Sequence, residues 1–419
     1  MSVAAPEQKP PGGGGGRFIA GDPMRGIACL VVLFWHSAVA AAGIVPPDGI
    51  SPGLKGELGI AGPPVVTLAI SVWFFFVLSG YLISGPFVRA VVRGDGRKPR
   101  LGAYARNRVL RIVPGFWAIL ALTILIVGTE GNSVRQMIEF FGFVHIYDQG
   151  PFTERMVQAW TLDVEVIFYA AVPLLLLPLA DLLRGRGTPA MRASVILAGC
   201  AIVGAASIAL AQSGPESGAI ALGAAWAFMP GIALATVEPL VRPKLAGRSY
   251  GRWIAWSLVA LAAAAFLVHT YVVGVFNVKL QNLVAAVACG AFLAAPLALQ
   301  WSTGGVWRIF DNRLLHWFGV RAYGVYLTHV LAIYELRHVI HGLGSTWMAL
   351  LVAFPLILLL STIAGALSFR YIETPFLERR APWRSSDSAK SAVPAAAASG
   401  ALQPATAPAG AAAGAVTPP

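Results

Sequence analysis

Charge is what this sequence has least of. Asp, Glu, Lys and Arg supply 12% of its 419 residues, where a soluble domain carries roughly 25%. So little charge cannot cover the surface of a water-soluble fold of this length. Cysteine is scarcer still: Cys29, Cys200 and Cys289 each lie inside an apolar run. An odd number so placed predicts small core residues, no disulfide and no metal site. The first sixteen residues hold no apolar core and end in the glycine run 12–16, so no cleavable signal peptide is expected there. That glycine run follows no strand and precedes no Gly-Lys-Ser/Thr, which excludes a phosphate loop. No internal repeat is clear enough to use.

What fills the chain instead is hydrocarbon. Hydrophobic residues make up 57% and the mean hydropathy is +0.70. They come in long runs, the mark of bilayer spans rather than of one buried core. Ten runs approach the twenty or so residues that a helix needs to cross the hydrocarbon: 24–44, 66–88, 109–128, 164–183, 192–212, 219–238, 253–273, 280–300, 316–337 and 347–370. The run 137–147 is too short and reads as an interfacial or re-entrant piece. Residues 1–20, rich in Gly and Pro, and 381–419, rich in Ala and Pro, read as disordered tails. The transmembrane domain is therefore 21–380.

The net charge of +12 would fit nucleic acid, but the basic residues sit between the apolar runs, so no nucleic-acid partner is expected. With the N-terminus placed in the cytoplasm, 26 of the 31 Lys and Arg residues fall on cytoplasmic segments. Only Lys55, Arg135, Arg155, Lys279 and Arg337 fall outside. That asymmetry supports about ten spans with both termini cytoplasmic, an all-α integral membrane protein of the cytoplasmic membrane.

Ionisable groups inside a span are expensive and need an explanation. Arg25 and His36 lie on the first span, eleven positions apart, which returns to within about 20° of one helix face with about 16 Å of axial rise. A cation at the mouth and an imidazole deeper in suit a long anionic donor. A snorkelling Arg and a structural His are the plainer reading. Ser79 and Gly80 make a small polar notch in the aromatic second span, which close helix packing explains without chemistry. Arg106, Arg108 and Arg111 end a basic loop before the third span and serve equally as topology signals or as a phosphate clamp. Asp163 and Glu165 open the fourth span after Trp160. Asp163 is free to cap the helix or face water, and Glu165, one turn from Trp160 and Tyr169, is placed to hold a hydroxyl-bearing substrate. Arg321, Tyr323, Tyr326 and His329 mark the ninth span. Arg370 and Glu373 end the tenth, with Glu373 expected to pair with a nearby Arg.

These residues resemble, in order, the motifs of the membrane acyltransferase 3 family. Arg25-Gly26-Ile27-Ala28 with His36 is similar to its first-helix motif. Phe74-Phe75 with Ser79-Gly80 is similar to its second-helix signature, and Arg108, Arg111, Ile112 and Pro114 to its Arg-rich motif. Trp160-Thr161-Leu162 with Glu165 and Phe168-Tyr169, then Tyr326-Leu327-Thr328-His329, then Glu373-Thr374-Pro375 complete the likeness over about residues 20–378. Pro23-Met24 departs from the apolar pair common in the family. The hydrolase-like domain that some relatives carry after the last span has no counterpart here, so a stand-alone transmembrane form is expected.

The resemblance implies O-acyl transfer, acetyl most often, from cytoplasmic acyl-CoA as co-substrate, with no permanently bound cofactor. The implied acceptor is a hydroxyl of a carbohydrate, a glycolipid or a secreted natural product, met in the lipid bilayer. For that reaction we expect His36 as the catalytic general base, Glu165 as a second catalytic group that positions the acceptor or tunes the imidazole, and Arg25, Arg108 and Arg111 on the donor phosphates. Ser79, Tyr81, Trp160, Tyr326 and His329 are then the substrate-binding candidates. Sequence leaves open a covalent acyl-histidine. A transporter of a polar or lipid-linked substrate is the competing class, and would carry inverted repeats and paired broken helices. A non-catalytic scaffold would leave the Arg25 and His36 face without a role.

Overall fold

In a bilayer each backbone amide has to find its partner inside the protein, and a helix supplies those partners within one segment. The computed structural model describes residues 18–43, 58–147, 152–210, 220–273 and 278–380. The expected tails fall outside them, apart from residues 18–20. Every described residue belongs to one compact unit. Ten long helices carry it: α1 Gly21–Ala41, α2 Ile70–Arg93, α3 Leu101–Val127, α4 Trp160–Leu182, α5 Pro189–Leu210, α6 Met229–Leu245, α7 Tyr250–Val268, α8 Val278–Thr303, α9 Arg313–His341 and α10 Thr346–Ser368. Among the described residues there is no strand.

Nine of the ten are, with their flanking turns, long and apolar enough to cross a membrane; α9 is not. The expected ninth span is thus a helix, but it carries Arg313, His316, Arg321, Glu335 and Arg337. All of these but Arg321 lie outside its buried stretch from Gly319 to Ala332, and the helix packs against α1 and α10. The basic stretch before the third span also differs from expectation. It is mostly helix: α3 starts at Leu101, so Arg108 and Arg111 stand on a rigid element rather than in a loop.

Small residues let the helices approach closely, as membrane packing requires. A Cβ on Gly231 of α6 would lie 1.9 Å from the Val77 carbonyl oxygen of α2, and one on Gly80 would lie 2.3 Å from that of Phe228. A Cβ on Gly319 of α9 would lie 1.7 Å from the Asp22 oxygen of α1. The Ser79-Gly80 notch is therefore divided. Gly80 packs α2 on α6, and Ser79 is left to face another helix.

Two buried polar groups tie connections to the bundle. Asp163 neither caps its helix nor faces water: it is fully buried. Its Oδ2 accepts the Ile146 amide at 3.1 Å and lies 2.9 Å from His145 Nδ1. The His145 ring in turn stacks on Phe140 at 4.0 Å. This anchors the short run 137–147, which forms helix Val134–Phe141 and a turn at His145–Tyr147. Arg192 of α5 is also buried. Its guanidinium donates to Val92 and Arg93 carbonyls at 2.9 and 3.0 Å and to Arg186 and Gly187 carbonyls at 2.8 and 2.9 Å. It thereby satisfies carbonyls at the C-terminal end of α2 that have no partner in their own helix.

Candidate functional site

Helices α1, α2, α3, α4 and α9 enclose a cavity of about 150 Å³. Of the side chains expected at a site, Arg25, Ser79, Arg108, Arg111, Glu165 and Tyr326 line it. They come from five helices and span three hundred positions of sequence, so only the tertiary fold brings them together.

The cations are held by neighbours that differ in kind. Arg25 Nη1 donates to Asp22 Oδ1 at 2.7 Å, and Asp22 Oδ2 lies 3.6 Å from His316 Nδ1. Arg108 lies over the rings of Tyr169 and Tyr104, 5.5 and 5.8 Å from their centroids, a cation–π arrangement that orients a guanidinium without neutralising it. Arg111 Nη1 is 3.6 Å from Glu373 Oε2, and that carboxylate side chain is only 1% exposed. Glu373 thus finds the arginine partner expected of it. Arg380, which sequence reading counted only as a topology charge, joins this group. Partial desolvation, with Arg111 and Arg108 close by, lowers its pKa from 12.5 to about 10. Arg108, Arg111 and Arg380 thus act on one another electrostatically, and an anion bound among them would be favoured.

Among the described residues, Glu165 is the one acid lining this cavity. Its Oε1 accepts from Ser79 Oγ at 2.7 Å and from Tyr169 OH at 2.6 Å. Both donors come from motifs read in the sequence, but the pairing of α2 with α4 through them was not legible there. Tyr323, also on the cavity wall, donates to the Ile112 carbonyl at 2.6 Å and fixes α9 to α3.

His36 and His329 do not line the cavity. They meet each other: His329 Nε2 is 3.3 Å from His36 Nδ1. Tyr326 belongs to both groups. Its ring lines the cavity and stands 5.4 Å from the His329 ring, while its hydroxyl lies 3.0 Å from Thr161 Oγ1 and donates to the Gln158 carbonyl at 3.2 Å. Trp160 packs in an aromatic cluster with Trp73 and Phe76, at 5.7 and 5.9 Å between centroids. Tyr81 points elsewhere. Its hydroxyl donates to Glu238 Oε2 at 3.0 Å, and Glu238 also meets Arg89 and Arg242 at 3.8 and 3.5 Å.

Comparison with known proteins agrees with the motif reading. The peptidoglycan O-acetyltransferase OatA of Listeria monocytogenes is 23% identical to this chain over 328 residues, 73% of this chain and 51% of that protein. The chain thus spans about half the length of that relative. No solved structure matches. The profile of an acyltransferase domain matches residues 21–366, a stretch that includes every side chain lining the cavity. By that match over most of its length, the chain belongs to the acyltransferase 3 family of membrane acyltransferases.

Proposed function

We propose that this protein is a multi-pass O-acyltransferase of the cytoplasmic membrane. It moves an acyl group, acetyl in the simplest case, from cytoplasmic acyl-CoA to a hydroxyl of a carbohydrate, glycolipid or secreted natural product. The observation that carries this reading is the convergence, inside a family acyltransferase domain, of Arg25, Arg108 and Arg111 with Glu165 on one cavity. Guanidiniums suit the phosphates of CoA, and a carboxylate already accepting two hydroxyl hydrogen bonds suits a hydroxyl-bearing acceptor. The relative's name supports an acetyl group and a glycan acceptor. The bias of basic residues toward alternate connections supports cytoplasmic termini, with the catalytic domain at 21–380 and the two tails outside it.

In the proposed reaction the CoA phosphates rest among Arg25, Arg108 and Arg111, and the thioester extends along the α1 face toward His36. Glu165 holds the acceptor. The neutral His36 imidazole takes the hydroxyl proton as the oxygen attacks the thioester carbonyl. The carbon–sulfur bond then breaks, and His36 returns that proton to the departing CoA thiolate. The new ester keeps the acyl carbon and the acceptor oxygen, and the base is restored. Tyr326, whose ring lies on the path from cavity to histidines, is the group the thioester passes.

The test is mass spectrometry of envelope glycans, lipids and secreted products from cells with the wild-type protein, with His36→Ala, and with none. An ester-sized mass increment found only with wild type is expected. Transfer at the wild-type level by a correctly inserted His36→Ala protein would overturn the assignment of the base. In membranes, Arg25→Ala and Arg108→Ala are expected to raise the KM for acetyl-CoA by about tenfold or more, the scale of one lost charge-assisted hydrogen bond.

A further inference from the structure

The two histidines settle each other's protonation pattern through the atoms that face them. His329 Nδ1 lies 2.5 Å from the Tyr326 carbonyl oxygen. A carbonyl only accepts, so Nδ1 carries the hydrogen. In neutral His329 that leaves Nε2 with a bare lone pair. This lone pair faces His36 Nδ1 at 3.3 Å, which also lies 3.1 Å from the Val32 carbonyl oxygen. Both neighbours of His36 Nδ1 are acceptors, so that nitrogen carries the hydrogen too. Neutral His36 is then bare at Nε2, the nitrogen a general base needs free.

Of the two acceptors, the Val32 carbonyl is already engaged. It sits four residues before His36 in α1, where it takes the helical amide hydrogen. Among the described residues, His36 Nδ1 is the one group facing the His329 Nε2 lone pair. His329 is 0% exposed and its ring centroid is 4.8 Å from that of His36. A group so enclosed is poorly placed to touch an incoming acceptor, the role expected from the motif.

We infer that His329 is a positioning residue: its Nε2 accepts the Nδ1 hydrogen of His36, fixes the His36 ring and tautomer, and leaves His36 Nε2 bare to take the substrate proton. When His36 becomes an imidazolium, its Nδ1–H bond to His329 becomes charge-assisted and shortens. His329 thereby does what a buried carboxylate does for the histidine of a serine triad, with no fixed negative charge placed in the membrane, where one would be costly. The inference rests on the proposed role of His36 as base.

The experiment uses the full chain in detergent micelles with diethyl pyrocarbonate, which acylates bare imidazole nitrogen. Modification of His36 is followed by peptide mass spectrometry, and acetyl ester formation is followed in cells carrying the same variants. His329→Gln offers an amide oxygen where Nε2 stood. His329→Asn keeps a donor for the Tyr326 carbonyl but reaches no acceptor to His36. Expected is near-wild-type labelling of His36 in His329→Gln and labelling slowed about tenfold or more in His329→Asn and His329→Phe, with ester formation falling in step. In membranes the loss is expected in kcat, with the KM for acetyl-CoA unchanged. Equal labelling of His36 in all four proteins, or no labelling of His36 in the wild type, would overturn the relay. A residue needed only for packing would treat Gln and Asn alike. Failure of the underlying reading looks different: there His36→Ala itself forms ester at the wild-type level, whatever the His329 variants do.

Discussion

Arg111 shows at the scale of one residue why a donor-binding assignment needs structure as well as motif. Its guanidinium faces the cavity and also pairs with Glu373, whose side chain is almost wholly buried. Removing one partner of a buried pair leaves the other charge without compensation, which costs more than the pair itself contributes. Arg111→Ala is therefore expected to lose about 3 kcal/mol of stability besides the donor affinity proposed for it. The double variant Arg111→Ala with Glu373→Gln is expected to regain most of the stability and none of the donor affinity. Thermal unfolding in detergent beside a KM measurement separates the two effects. A double variant that stays as unstable as the single one would show that the pair is not what holds Arg111. By contrast, Arg108 rests on the rings of Tyr104 and Tyr169 rather than on a buried carboxylate, so it is the cleaner probe of donor binding.

Between helices, the decisive contacts are made by residues with almost no side chain. The α2–α6 crossing brings Gly80 and Gly231 so close that a methyl on Gly231 would overlap the Val77 carbonyl. Gly231→Ala must push the helices apart, at a cost of about 1–3 kcal/mol. Ser79 sits beside that crossing and holds Glu165, so the same change is expected to lower acyl transfer while the protein still inserts. Unaltered melting temperature and unaltered transfer in Gly231→Ala would show that the crossing has slack. The motif containing Ser79-Gly80 was visible in sequence. That its two residues serve different helices was not, because helical periodicity tells which face a residue occupies but not what that face meets. The same limit explains Asp163 and Glu165. They are two positions apart on one helix, yet one is locked against His145 and the other opens on the cavity.

At the scale of the whole molecule, the proposed orientation predicts which connections meet the cytoplasm. Cys29, Cys200 and Cys289 are all buried, so the native chain is a silent background for thiol labelling. Arg97, exposed after α2, and Glu130, exposed after α3, lie at opposite ends of α3. In intact cells a membrane-impermeant maleimide is expected to label Glu130→Cys and to reach Arg97→Cys only after permeabilisation. The reverse pattern would invert the topology and place the guanidinium cluster on the wrong side for cytoplasmic acyl-CoA.

Sequence by itself determined the class, the helices and the family. Those properties follow from local quantities: runs of apolar residues, the alternation of basic connections, and motifs kept in order. It also marked most of the cavity, since a charge inside a bilayer is costly enough to be conspicuous wherever it stands. Tertiary structure decided what those groups do to one another. It put Tyr81 against Glu238 instead of in the cavity, packed against α1 and α10 a helix too polar to cross alone, and set His329 behind His36. Hydrogen bonding and ion pairing act over about 3 Å, and residues nearly three hundred positions apart reach that distance only when helices pack.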